Sequence, residues 1–304
     1  MNTSLQTILV AVDFSTGSRA ALEQARRLAL HHGASLHVLH VIDSHALASL
    51  AESRGEAFDS AAQYSTAGGR QALESWLAQS DLPAGCTITL VIGVPLHEIL
   101  EHTKSLDADL LVAGIAGAGE NSVGAGSVSS KLARKSAAHV LLVRADQSQP
   151  FQKIVACVDF SEHAQRVLAL TREMALQDHA SVDFLHVWAD PGSMLPVMGP
   201  FGESGLSMVN ATLAPRDELT TALQTHLHEF IQSSAEGLTH LEVLHEDRKT
   251  GRGIADHARE AGADLIIIGA LGRTNLRYLL LGSTVERVLI QSACSMLVVK
   301  PAEV

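Results

Sequence analysis

The chain has 304 residues, 46% of them hydrophobic and only 4% aromatic, which is too long for one ordinary small domain and suits two. A formal net charge of −11 excludes a general nucleic-acid binder, because there is no basic surplus to neutralise phosphates. The three cysteines form no CxxC pair, the N-terminus lacks the marks of a signal peptide, and no apolar run reaches the roughly 18 residues that cross a bilayer, so a soluble cytoplasmic protein with no membrane partner is expected.

In chain order, "TILVAVD" opens as a continuous apolar run, as expected of a strand buried on both faces of a parallel sheet. Ser15 can cap the helix that follows, whose apolar residues Ala21, Leu22, Ala25, Leu28 and Ala29 keep helical spacing. "SLHVLHVI" predicts the second strand and "QALESWLA" part of the second helix. "TITLVIG" is the third strand and "LHEILEHTKSL" the third helix. "DLLVAGI" is the fourth strand, "SVSSKLARKS" the fourth helix and "HVLLVR" the fifth strand.

The same order is then written again. "AVDFS" at 11–15 returns as "CVDFS" at 157–161, and "ASLHVLHV" at 34–41 returns as "ASVDFLHV" at 180–187. "ADLLVAG" at 108–114 answers "ADLIIIG" at 263–269, and "HVLLVR" at 139–144 answers "SMLVVK" at 295–300. The growing offset marks loop insertions in a duplicated domain. The polar seam "ADQSQPFQ" places the boundary between a first domain at 1–148 and a second at 149–304. Alternating strands and helices predict an α/β fold, with two tandem doubly wound domains of five parallel strands each. The apolar fifth strands are edges that pairing would protect, so the halves are expected to pack as an internal pseudo-dimer through them.

Ligands in such sheets bind at the carboxyl ends of the strands, where the strand order reverses. If the order is 3-2-1-4-5, Asp159 at the end of the sixth strand faces the glycine-rich turn "GALGRTNLRYLLLGST" at 269–284. Gly269 and Gly272 permit a sharp turn and close backbone approach. Gly282, Ser283 and Thr284 precede a helix whose first amides and dipole attract phosphate, with Arg273 and Arg277 supplying charge nearby. The simpler alternative stays open: a tight turn, an ordinary helix cap, and a carboxylate that only caps the next helix.

The spacing G-x2-G-x9-G-[ST], together with the duplicated "VDFS" and "LHV" segments, resembles the universal stress protein family over nearly the whole chain, twice. The resemblance implies a Rossmann-like, adenine nucleotide alpha-hydrolase-like fold and a stress-response or regulatory protein that binds ATP, with or without Mg²⁺. Carried over, Asp159 and Val187 would contact ribose and adenine, and Gly269, Gly272, Gly282, Ser283 and Thr284 would hold the phosphates. The first half departs from the pattern. Its stretch "GIAGAGENSVGAGSVSS" keeps Gly114, Gly117, Gly126 and Ser127, is one residue short, has Val128 in place of the second hydroxyl, and adds Glu120. With Asp13 and Val41 it forms a weaker candidate site.

Two other readings compete with the ATP-binding module: a slow Mg²⁺-dependent ATPase, and a scaffold that takes an apolar ligand or protein through the segment at 189–215, rich in Gly, Pro and Met. No catalytic residue or metal ligand is assigned. His245, Glu246 and Asp247 are the best metal candidates, while His40 and His186 are expected to be packed and hydrogen-bonded. A further homodimer is left open.

Overall fold

The structure, a computed structural model, describes residues 5–116, 125–190, 215–271 and 282–301. The first half runs β1 (Thr7–Val12), α1 (Thr16–His32), β2 (Ser35–Asp43), α2 (Ser44–Arg54), α3 (Phe58–Leu77), β3 (Thr87–Gly93), α4 (Pro95–Ser105), β4 (Leu110–Gly114), α5 (Ser127–Lys135) and β5 (His139–Val143). The second half runs β6 (Lys153–Cys157), α6 (Ala164–Asp178), β7 (Ser181–Trp188), α7 (Arg216–Ala235), β8 (His240–Glu246), α8 (Thr250–Glu260), β9 (Leu265–Gly269), α9 (Ser283–Gln291) and β10 (Ser295–Val299).

The strands form one ten-stranded sheet in the order β3-β2-β1-β4-β5-β10-β9-β6-β7-β8. Each half therefore has the order 3-2-1-4-5 on which the site argument depends. All pairs inside a half are parallel, and the seam is antiparallel, with Leu142 opposite Met296 and Val140 opposite Val298. The pseudo-dimer expected from the apolar fifth strands is thus the way the two sheets join, and neither fifth strand is left as an edge.

The strands are apolar on both faces because each face carries a helix layer. Ile8 and Val10 pack into the core under α1, α3, α6 and α7, while Leu9 and Leu39 point into the core under α4, α5, α8 and α9. Full burial of each such side chain contributes about 1.5–3 kcal/mol. Local signals set the helix ends. Ser15 caps α1 by accepting the Ser18 amide, as expected, and Gly33 ends it in the left-handed conformation with φ 64°.

One element differs from the sequence reading. Between β2 and β3 stand two helices, not one, because Asp43 at the end of β2 accepts the His45 and Ala46 amides and starts α2 directly. The helix buries only Leu47 and Ala51, so its apolar stripe is too narrow to stand out in the sequence.

Candidate functional site

The carboxyl ends of β1 and β4, and of β6 and β9, each open onto a cavity closed from one side by a helix start. In the second half the cavity measures about 110 Å³ and is lined by Asp159, Val187, Gly269 and Thr284, with His186 and Thr250. In the first half it measures about 280 Å³ and is lined by Asp13, Val41, Gly114, Gly126 and Ser127, with Val128. Gly282 and Ser283 sit at the start of α9, beside Thr284 but outside the lining. Gly272, Arg273, Arg277, Gly117, Glu120 and most of the 189–215 segment lie outside the described residues.

The two aspartates are held by the turn that starts each helix. Asp159 Oδ1 accepts the Ser161 amide at 3.0 Å and the Ser161 hydroxyl at 2.6 Å, and Asp13 Oδ1 accepts the Ser15 amide at 3.0 Å. Such a turn satisfies part of the carboxylate and fixes where it points. Between aspartate and serine, Phe14 and Phe160 take left-handed backbone with φ 65° and 59°. A residue with a side chain pays about 1–3 kcal/mol for that conformation unless its surroundings enforce it.

One neighbour recurs in both halves, a histidine of the second strand. The Phe14 ring lies 4.4 Å from the His40 ring, and the Phe160 ring 4.4 Å from that of His186. Each histidine donates its Nδ1–H to the carbonyl at the end of the first strand of its half, His40 to Val12 at 2.8 Å and His186 to Val158 at 2.7 Å. A carbonyl only accepts, so the bond assigns the proton to Nδ1. Both histidines are packed and bonded, as the sequence suggested. The phenylalanines were not singled out as site residues, although the repeated "DFS" carried the signal.

The helix starts are alike as well. Gly282 and Gly126 are the N-caps of α9 and α5, and no side chain caps either helix. The Gly282 amide donates to the Ala270 carbonyl at 3.0 Å and the Gly126 amide to that of Ile115 at 2.8 Å, which ties each helix to the strand end before it. The first bond inside α9 is from Glu286 to Gly282, so the amides of Ser283, Thr284 and Val285 come before it. These are the groups of a helix N-terminus that suit an anion.

A model of the universal stress protein family matches residues 4–144 and again 150–300. The chain belongs to the universal stress protein family. It is similar to the universal stress protein YxiE of Bacillus subtilis, with 24% identity over 152 residues that make up 49% of this chain and 99% of that protein. A universal stress protein E homolog of Haemophilus influenzae is 42% identical over 50 residues, 16% of either chain. Among solved structures, a functionally unknown protein of Pseudomonas aeruginosa aligns with a TM-score of 0.65 at 19% identity, covering 98% of this chain and 93% of that one. A universal stress protein of Archaeoglobus fulgidus aligns with a TM-score of 0.65 at 18% identity, covering 97% and 98%. Those two likenesses speak for the fold.

The remaining candidates of this universal stress protein are otherwise engaged. Asp247 accepts from the Arg252 guanidinium at 2.7 Å and from the Lys249 amide at 2.7 Å, an arrangement that holds its carboxyl below the usual range. Glu246 pairs with Arg216. Among the described residues no group of three or more histidine, cysteine, aspartate or glutamate side chains comes together in a way that could hold a metal ion. No helix among them is long and apolar enough to cross a membrane.

Proposed function

We propose that the chain is a stress-response or regulatory module that binds ATP in its second domain, 149–304, with the ribose held by Asp159, the adenine against Val187 and the phosphates at the start of α9. One observation carries the reading: Asp159, Val187, Gly269 and Thr284, drawn from four separate stretches of the chain, line a single cavity at the switch point of the sheet. The motif adds Gly272, Arg273, Gly282 and Ser283 to that set. The first domain, 1–148, keeps the aspartate, valine and glycines but puts Val128 where Thr284 stands and adds Glu120. Its wider cavity supplies volume, whereas a triphosphate needs hydrogen-bond donors and positive charge. Neither the ATPase nor the scaffold reading has a described feature that favours it over this one.

Calorimetric titration of the full chain with ATP tests the reading. One equivalent per chain is expected, Asp159→Ala should weaken binding by about tenfold or more, and Asp13→Ala should leave it nearly unchanged. Two equivalents, or the opposite response of the two variants, would assign ATP to the first half or to both. Mass spectrometry of nucleotide that co-purifies with the chain provides an independent reading.

A further inference from the structure

Helix α8 contains two buried glycines, Gly251 and Gly253, at its first turns. Each costs about 1 kcal/mol relative to alanine in a helix, so packing has to offset the loss. It does so by close approach. A Cβ on Gly251 would lie 2.9 Å from the Thr284 carbonyl and 2.8 Å from Arg287 Cβ, both on α9. A Cβ on Gly253 would lie 2.9 Å from Val187 Cγ1 and 3.0 Å from Asp247 Cβ. Thr284 and Val187 line the second cavity, and Thr250 and Ile254 of α8 line it too. The glycines therefore draw one wall of the cavity against two others.

The first half is built the other way. Pro95 and Ile99 of α4 line its cavity where Thr250 and Ile254 of α8 line the second, so Leu96 and Glu98 stand in place of Gly251 and Gly253. There the glycine is on the strand: Gly93 leaves room for the Glu98 side chain, whose Oε1 would be 2.4 Å from a Cβ on that residue. Correspondingly, α8 packs more extensively on α9 than α4 does on α5. The floor also differs, with Ala113 in the first half and Ile268 in the second. The closer wall and the larger floor residue go with the smaller cavity, about 110 Å³ against about 280 Å³.

We infer that Gly251 and Gly253 are specificity-determining residues of the second cavity, closing α8 onto Val187 and the start of α9 so that the cavity accepts an unsubstituted purine and rejects one that carries an added group. The inference rests on the ATP reading above, which supplies the ligand, and it names residues outside the glycine turn. An alanine at position 253 must push α8 off Val187, which widens the gap and loosens the grip on a slim base.

The test titrates the full chain with ATP and with an ATP analogue that carries a benzyl group on the adenine amine. The wild-type chain should bind ATP and discriminate against the analogue. In Gly253→Ala, ATP affinity should fall and the discrimination should shrink by about tenfold or more, the scale on which one carbon in a pocket selects between ligands. Gly251→Ala places a Cβ against the Thr284 carbonyl and Arg287, forces α8 off the start of α9 and should move the ratio the same way, so it decides the matter if Gly253→Ala does not fold. An unchanged ratio in a folded variant that still binds ATP overturns the inference alone. Absence of ATP binding to the wild-type chain overturns the ATP reading and the inference with it.

Discussion

At the scale of single residues, the candidate site is made by conformations as much as by side chains. Phe14 and Phe160 are held left-handed by histidines that are themselves anchored, so the aspartate before each is aimed by a relay of packing and hydrogen bonds. Gly282 poses a different question, because its φ of −58° is open to any residue. Among the described residues a Cβ there would meet only the Ala270 carbonyl at 3.4 Å, an ordinary contact. Glycine is thus not required by the backbone, and what it leaves clear is the approach to the Ser283 and Thr284 amides. Gly282→Val is expected to keep the fold, at a stability loss of about 1 kcal/mol for a β-branched N-cap, while ATP affinity falls by roughly tenfold or more. Thermal melting and calorimetry on the same sample would check both halves of that statement. A folded variant with unchanged affinity would remove Gly282 from the site.

At the scale of elements, side chains on the helices also tie the two halves together. Arg27 of α1 pairs with Asp178 of α6, whose side chain is 1% exposed and which also accepts the Phe151 amide at 2.8 Å. Gln24 of α1 donates to the Gln147 and Gln149 carbonyls at 3.0 and 2.7 Å, which fastens the connecting segment to the same helix. Removing one partner of a buried pair leaves the other charge uncompensated, so Asp178→Ala should cost about 3 kcal/mol or more in urea unfolding. Arg259→Ala, which breaks the exposed pair with Asp256, should cost less than about 1 kcal/mol. Equal effects would mean the Arg27 pair is not an anchor between the halves. None of this was legible beforehand, since Arg27 and Asp178 look like surface charges on two separate helical patterns. The strands were legible because they are apolar on both faces, and the repeat was legible because "VDFS" and "LHV" recur. The two glycines of α8 do not stand out in the sequence, because Gly251 lies against Thr284 and Arg287, in another helix some thirty residues on, and Gly253 against Val187 and Asp247, on and just after other strands. Local pattern shows what an element is, whereas its partner across a long chain separation has to be seen.

At the scale of the whole molecule, stability depends on a seam that carries a proton-sensitive contact. His139 begins β5, and its Nδ1 accepts the amide of Lys300, the residue after β10, at 2.9 Å. Lys300 in turn donates its Nζ to the Ala133 carbonyl at 2.6 Å, and burial lowers its ammonium to about 8. An imidazole that accepts at Nδ1 must be neutral there, because protonation would set one N–H against another. Burial, reinforced by the charges of Arg166 and Lys300 and only partly opposed by Asp109, holds the His139 group down at about 4. The unfolded chain takes up this proton below its ordinary value of 6.5, while the folded chain does not until about 4. Between those values the unfolded state binds more protons, so stability falls as pH falls, by up to about 1.4 kcal/mol per pH unit. From pH 7 to pH 5 the residue should account for a loss of about 2 kcal/mol. His139→Asn keeps an acceptor for the Lys300 amide and has nothing to titrate. Urea unfolding of both proteins at the two pH values should therefore show the variant losing about 2 kcal/mol less than the wild type on acidification, with all other titrating groups common to both. Parallel losses would show that His139 is not what makes the joint between the halves sensitive to acid.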